Sequence, residues 1–291
     1  YFYCLYINLT TEYLISMTLN TRNKILLSII VTSVSFLLFF FIVALVNFIK
    51  GDFSLIPEFQ RILPINSSSF LLKNRPLISI ISILILILYI PISCYFLYVS
   101  FEKTKSPETI YLMGFFTACI LQSTKILIPL LELWNNSSQW LILVARIEIA
   151  GRMLAPLCLL FTALFSEQDQ IQDADRNFGL AIGITSCFAY ILPMNSKRIF
   201  SNFTLSCGFD NLIYFFIFFC AIITVLTFII ISKQREVSFW TSPSPYYILM
   251  FSGYIILSIS DCILLLFMGT TFLILGTYQI LYRLHKYYLW K

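Results

Sequence analysis

The sequence predicts an all-α fold, a polytopic transmembrane helical bundle of eight spans with seven as the alternative, and three observations predict it. Of 291 residues, 59% are hydrophobic and 11% charged, with a mean hydropathy of +0.88, against about 25% charged in soluble domains. Apolar runs of about 20 residues, the length that crosses a ~30 Å hydrocarbon core, recur along the chain. The run Trp140–Phe165 is long and apolar enough to cross, yet it carries Arg146, Glu148 and Arg152. Lipid does not accept such charges without partners, so other helices must surround this one.

No stretch of soluble composition is long enough to form a second domain, so residues 17–291 read as a single integral membrane domain. Residues 1–16 are expected to be a non-native N-terminal extension. From Met17, a short polar segment with Arg22 and Lys24 precedes an apolar run too long for a signal-peptide core and without a small-residue cleavage site, which reads as an uncleaved anchor.

That anchor is span one, Ile25–Ile49. The connection 51–76, with Pro57, Pro64 and Pro76 as turn signals and Phe53, Ile56, Phe59 and Phe70 as its apolar residues, predicts a segment lying on the membrane surface. Span two is Leu77–Val99, interrupted by Pro91, and span three is Ile110–Trp134. The tight link 135–139 makes spans three and four, Trp140–Phe165, antiparallel neighbours. Phe178–Met194 predicts a short span five, 196–211 an outside loop, and Leu212–Ser232 a lipid-facing span six. Tyr246–Tyr282 would be roughly 55 Å long as one helix, so it must break. Gly269, Thr270 and Thr271 predict the corner, giving span seven at 246–268 and span eight at 271–288.

Charge sets the expected orientation. With eight spans and the N-terminus inside, the cytoplasmic side carries Arg22, Lys24, Lys103, Lys105, Arg176, Lys233, Arg235, Arg283, Lys286 and Lys291. The other side carries Lys50, Arg61, Lys73, Arg75, Lys197 and Arg198, so the positive-inside rule puts both termini in the cytoplasm. A seven-span chain with its N-terminus outside satisfies the rule by a narrower margin. The net charge of +5 is spread over short loops, which excludes a nucleic-acid footprint and leaves the lipid bilayer as the expected partner.

Polar residues inside the spans define the candidate site. Span three carries Gln122 to Lys125, span four Arg146, Glu148 and Arg152, and span seven Ser258, Ser260 and Asp261. Counted from one membrane side at 1.5 Å per residue, Lys125, Arg146, Glu148 and Asp261 lie within roughly 5 Å in depth, with Arg152 deeper. Glu148 and Arg152, four apart, share a helix face and can pair, whereas Arg146 points about 120° away from Arg152. Asp261 is the expected partner of Lys125 or Arg146. The set leaves one positive charge over, which an anion, a lipid phosphate or water could compensate. Pro129 and Pro156 free the carbonyls of Lys125 and Arg152, as in bent helices of binding sites and transport pathways.

Other chemistry is not supported. The eight cysteines show no metal-ligand spacing, and no cofactor motif, phosphate loop or HExxH occurs. The one histidine, His285, stands beside Lys286, Tyr287, Tyr288 and Trp290 as an interfacial anchor. Asn8, Asn66, Asn135, Asn136 and Asn202 open Asn-x-Ser/Thr triplets, four of them in outside loops. The ending from Leu275-Gly276-Thr277-Tyr278 to Leu289-Trp290 resembles a tail of uncharacterised bacterial multi-pass inner-membrane proteins. Charged middle spans are also similar to those of the seven-helix sensor modules that precede bacterial kinases. The resemblance implies a bacterial inner-membrane location.

The expected function is a binding or sensing module whose polar layer holds a small polar or anionic ligand or a lipid headgroup. Lys125, Arg146 and Arg152 are its cationic contacts, and Glu148 and Asp261 their counter-ions. The alternative is a transporter or permease component using the same layer as a pathway. A network that only fixes helix pairing would need the same residues, and an intramembrane enzyme has least support, since no nucleophile and base are paired.

Overall fold

Prolines and long apolar runs set the helix boundaries of this chain. In a computed structural model, residues 19–50, 76–102, 106–136, 138–165, 174–234 and 244–289 are described. Helix α1 is Leu19–Lys50 and α2 is Pro76–Phe101; α3 is Pro107–Ser123, followed by a 3-10 turn at Thr124–Ile126 and the short α4, Leu127–Leu130, and α5, Leu133–Asn136. Then come α6 at Ser138–Leu164, α7 at Ala174–Ile191, the strands β1 at Met194–Ile199 and β2 at Leu205–Cys207, α8 at Asp210–Gln234, α9 at Ser244–Ile259 and α10 at Ile263–Leu289. Helices α2 and α3 open on Pro76 and Pro107, where a missing N–H costs nothing and φ is already helical. The extension 1–16, Cys4, the surface segment 51–75 and the triplets at Asn8 and Asn66 lie outside the described residues.

Among the described residues six helices are long and apolar enough to cross a membrane: α1, α2, α3 with its continuation to Leu130, α6, α8 and α10. The all-α bundle is therefore present, but the eight-span count is not. Helix α9 is apolar but only 16 residues long, and α7, where span five was expected, begins with the polar Asp175, Arg176 and Asn177. Two-thirds of the α3 and α6 windows are buried, against 17% in α1 and 22% in α8, so α3 and α6 form the centre and α8 faces outward, as its uniform apolarity predicts.

Spans three and four pack closely and antiparallel. A Cβ on Gly151 of α6 would stand 2.6 Å from the Gln122 nitrogen and 2.7 Å from the Ala118 oxygen of α3. Helix ends are sorted in the same alternating sense. Arg22 at the start of α1 donates to the Phe101 carbonyl at the end of α2, Arg283 near the end of α10 meets Tyr246 at the start of α9, and His285 lies 3.1 Å from the Ser100 oxygen. Lys125 and the α9–α10 corner lie at the opposite end of the bundle.

The corner falls at residues 260–262, not at Gly269–Thr271. The Ser258 and Ser260 hydroxyls donate back to the Ile255 and Leu257 carbonyls, and Asp261 lies in the gap where α9 stops. Gly269 is instead a packing surface: a Cβ there would come 2.9 Å from Leu257, and Cβ atoms at Gly253 and Gly276 would come 2.4 Å and 2.5 Å from the facing backbone. Small residues let membrane helices touch along their backbones, so glycines read as a break are what joins α9 to α10. Gly253→Ala therefore forces the two helices apart and lowers the melting temperature. Gly179→Ala, on an open face of α7, raises helix stability by about 0.5–1 kcal/mol. Thermal melts of the two variants check the contrast.

The 196–211 loop folds as a hairpin. β1 and β2 pair antiparallel with Met194 opposite Cys207, and the connecting tip runs back into the bundle. Ser201, Asn202, Phe203 and Thr204 are all buried, with Phe203 wholly so among Phe40, Ile83, Ile87 and Ile126. Asp210 holds the hairpin base by accepting from the Ser206 hydroxyl at 2.8 Å and the Cys207 N–H at 3.0 Å. Burial, reinforced by Asp210, pushes the Cys207 thiol up to about 12, so it remains protonated and unreactive.

Candidate functional site

Lys125 owes its position to the tightening of α3. The Ser123 and Thr124 hydroxyls donate back to the Ile120 and Leu121 carbonyls, each at 2.7 Å, and Pro129 withholds the N–H that would continue the regular ladder. The 3-10 turn that results carries Lys125 at its centre, 2% exposed. Its ammonium donates to the Ser258 carbonyl at 3.0 Å. That carbonyl belongs to the last turn of α9, where intrahelical donors run out, so the lysine caps the broken helix.

Glu148 and Arg152 pair along α6 as their spacing predicts. The guanidinium places both Nε, at 3.0 Å, and a terminal nitrogen on one Glu148 oxygen. Lys125 lies within the electrostatic reach of both residues, so three of the five expected site residues share one buried region. Two cations there face one carboxylate. Arg146 lies apart, its guanidinium 4.8 Å from the centre of the exposed Tyr190 ring and its Nε without a hydrogen-bond partner among the described residues. The turn of α6 that lets Glu148 meet Arg152 aims Arg146 toward α7.

Asp261 is buried in the α9–α10 corner and accepts the Ser201 hydroxyl at 2.9 Å. Instead of a direct pair with Lys125 or Arg146, the contact runs through the hairpin and the corner. Asn202 Nδ2 donates at 3.2 Å to the same Ser258 carbonyl that Lys125 uses, while its Oδ1 accepts from the Thr204 backbone and hydroxyl. Ser79 of α2 donates to the Ser260 carbonyl at 3.2 Å. With its amide committed on both sides and 2% exposed, Asn202 is a structural residue and not a glycosylation acceptor.

Two wholly buried polar groups complete the region. Gln122 is one turn before Lys125, and neither of its amide atoms has a partner among the described residues. The Tyr254 hydroxyl also has none; its ring packs edge-on against Phe115 at 5.4 Å, and it lies within electrostatic reach of Arg152 and Glu148. Tyr254, Ser258 and Asp261 are spaced i, i+4, i+7, a polar stripe on an apolar helix that was visible in the sequence. Ser201 and Asn202 carried no comparable signal.

Family models, curated proteins and solved structures yielded no match to this chain, so the residues and their geometry alone carry the functional argument.

Proposed function

We propose that the protein is a multi-pass membrane binding or sensing module whose buried region at Gln122, Lys125, Glu148, Arg152 and Tyr254 holds a small anionic ligand or an anionic lipid headgroup. The observation that carries this reading is the pair of unpartnered buried groups, Gln122 one turn before Lys125 and Tyr254 on α9, in a bundle core that also holds Lys125 and the Glu148–Arg152 pair. An unmet buried polar group costs about 1–3 kcal/mol, so a protein that keeps both beside a cationic excess has hydrogen-bonding capacity suited to an anion. Arg146 supplies an outlying cation, and Asp261 holds the corner. In this reading α7 and the 16-residue α9 complete eight crossings of the cell inner membrane, with both termini cytoplasmic.

The test is thermal melting in phosphatidylcholine nanodiscs with and without inorganic phosphate, and with phosphatidylglycerol replacing part of the lipid. A ligand at 100 times its Kd stabilises by about 2.7 kcal/mol. Gln122→Leu removes an unmet polar group, so it raises stability without ligand by about 1–3 kcal/mol and abolishes the ligand-dependent shift. A variant that destabilises the protein, with no shift in the parent from either anion, contradicts the reading.

A transporter is the second reading. It is favoured by the two helix interruptions at 124–126 and 260–262, which meet at the Ser258 carbonyl. Anion flux in proteoliposomes that is lost in Lys125→Leu distinguishes it from a module that binds without conducting.

A further inference from the structure

A second site lies on the flank of the bundle, away from the polar region. Helices α2 and α10 enclose between them a groove of about 440 Å³. Leu88, Ile92 and Phe96 of α2 and Ile274 and Tyr278 of α10 line it, all 46–62% exposed. The polar groups in its floor satisfy one another, since the Tyr89 and Thr277 hydroxyls lie 2.6 Å apart. An apolar occupant therefore leaves no donor unmet along the floor. From Ile85 to Ser100 the groove follows α2 for about 22 Å at 1.5 Å per residue, against about 15 Å for half of a ~30 Å hydrocarbon core. It is long and narrow, as an extended acyl chain is.

One end of the groove is polar and cationic. His285 closes it, with Nδ1 3.1 Å from the Ser100 carbonyl, so Nδ1 carries the hydrogen and Nε2 is left for a second partner. Lys286 follows in sequence and is exposed, and Arg283 and Arg22 stand at the same end of the bundle. Of the acids described near this end, Glu102 accepts from Tyr98 and Glu108 is buried. The outer face of α8 is as apolar and as exposed at Phe215, Phe218 and Phe219, but the cation of that helix, Lys233, stands in its last turn, about 22 Å beyond Phe218 at 1.5 Å per residue.

We propose that this groove is a binding site for one acyl chain of an anionic glycerophospholipid, whose phosphate meets Lys286 beside the His285 that closes the groove. Anionic headgroups gain about 1 kcal/mol per nearby cation, which gives selectivity over a zwitterionic lipid with the same chains.

The test places tryptophan in the groove by Phe96→Trp and measures quenching by lipids with brominated chains, read as the difference from the parent protein. Brominated phosphatidylglycerol is expected to half-quench at a mole fraction about five-fold below that of brominated phosphatidylcholine, following from about 1 kcal/mol for the one nearby cation, Lys286. Phe218→Trp on α8 shows no headgroup preference, and His285→Ala with Lys286→Ala erases the preference at position 96. Equal quenching by both lipids at position 96, an equal preference at position 218, or a preference that survives loss of both side chains overturns the site. Should a variant fail to fold, a photoactivatable phosphatidylglycerol is crosslinked to the unaltered chain. Adducts concentrated within 85–100 and 274–285 support the groove, and adducts spread evenly over the outward-facing helices overturn it.

Discussion

Glu148→Leu destabilises the protein by about 3–5 kcal/mol, and Glu148→Leu with Arg152→Leu restores most of the loss. Glu148 is 1% exposed, and its carboxylate is the group on which the Arg152 guanidinium closes. Removing it leaves Arg152, 12% exposed, and the wholly buried Lys125 as like charges without a carboxylate between them, the case in which breaking a buried pair is costly. Removing both members takes away the unmet charge as well as the attraction, and leucines of similar length fill the space. The pair is in contact, so the two changes are strongly non-additive, and a double-mutant cycle on thermal or denaturant unfolding measures the coupling. Losses that simply add would mean that Glu148 and Arg152 act separately.

Phe203→Ala costs about 3–5 kcal/mol as well, through a different mechanism. The ring is fully buried among Phe40, Ile83, Ile87 and Ile126, residues from α1, α2 and the turn that carries Lys125. Deleting it opens a cavity at the junction of three elements. Its backbone is left-handed, with φ of 62°, which costs a residue with a side chain about 1–2 kcal/mol and persists here because the ring and the bonds of Asn202 hold the tip in place. Alanine keeps that backbone cost and loses the packing that offsets it. The tip then withdraws, and Ser201 and Asn202 leave the corner. Unfolding of the purified variant measures the loss, and accessibility of Ser201→Cys in the same background to a water-soluble maleimide reports the withdrawal.

How much of this was legible follows from what kind of constraint each residue answers. Long apolar runs were legible because bilayer thickness imposes a length on each one, and α1, α2, α6 and α8 lie where their runs do. The Glu148–Arg152 pair was legible because helix geometry alone brings residues four apart together. Gly269 misled because glycine in an apolar run either breaks a helix or receives a neighbouring one, and only the facing residues Gly253 and Leu257 decide which. Asp261 was placed among the polar residues, but its partner Ser201 is 60 residues away on a segment that reads as a loop between spans. Asn202 shows the same ambiguity, since a triplet that invites modification in a loop is here folded into hydrogen bonds. Spacing along one helix is readable, whereas contacts between distant segments depend on a tertiary structure that local pattern does not encode.

The hairpin tip is where these strands of the account join, because it bonds the corner that Lys125 caps and seals that end of the buried region. Hydrogen–deuterium exchange of the unaltered protein in nanodiscs, followed by mass spectrometry of peptides covering 199–207, tests it directly. The Phe200 and Thr204 backbone groups are bonded across the tip and the Phe203 amide donates to Phe200, so these amides are expected to stay protected for hours, alongside those of α3 and α6. Complete exchange within seconds, as in a solvated loop, would contradict the seated hairpin and the closed polar region built upon it.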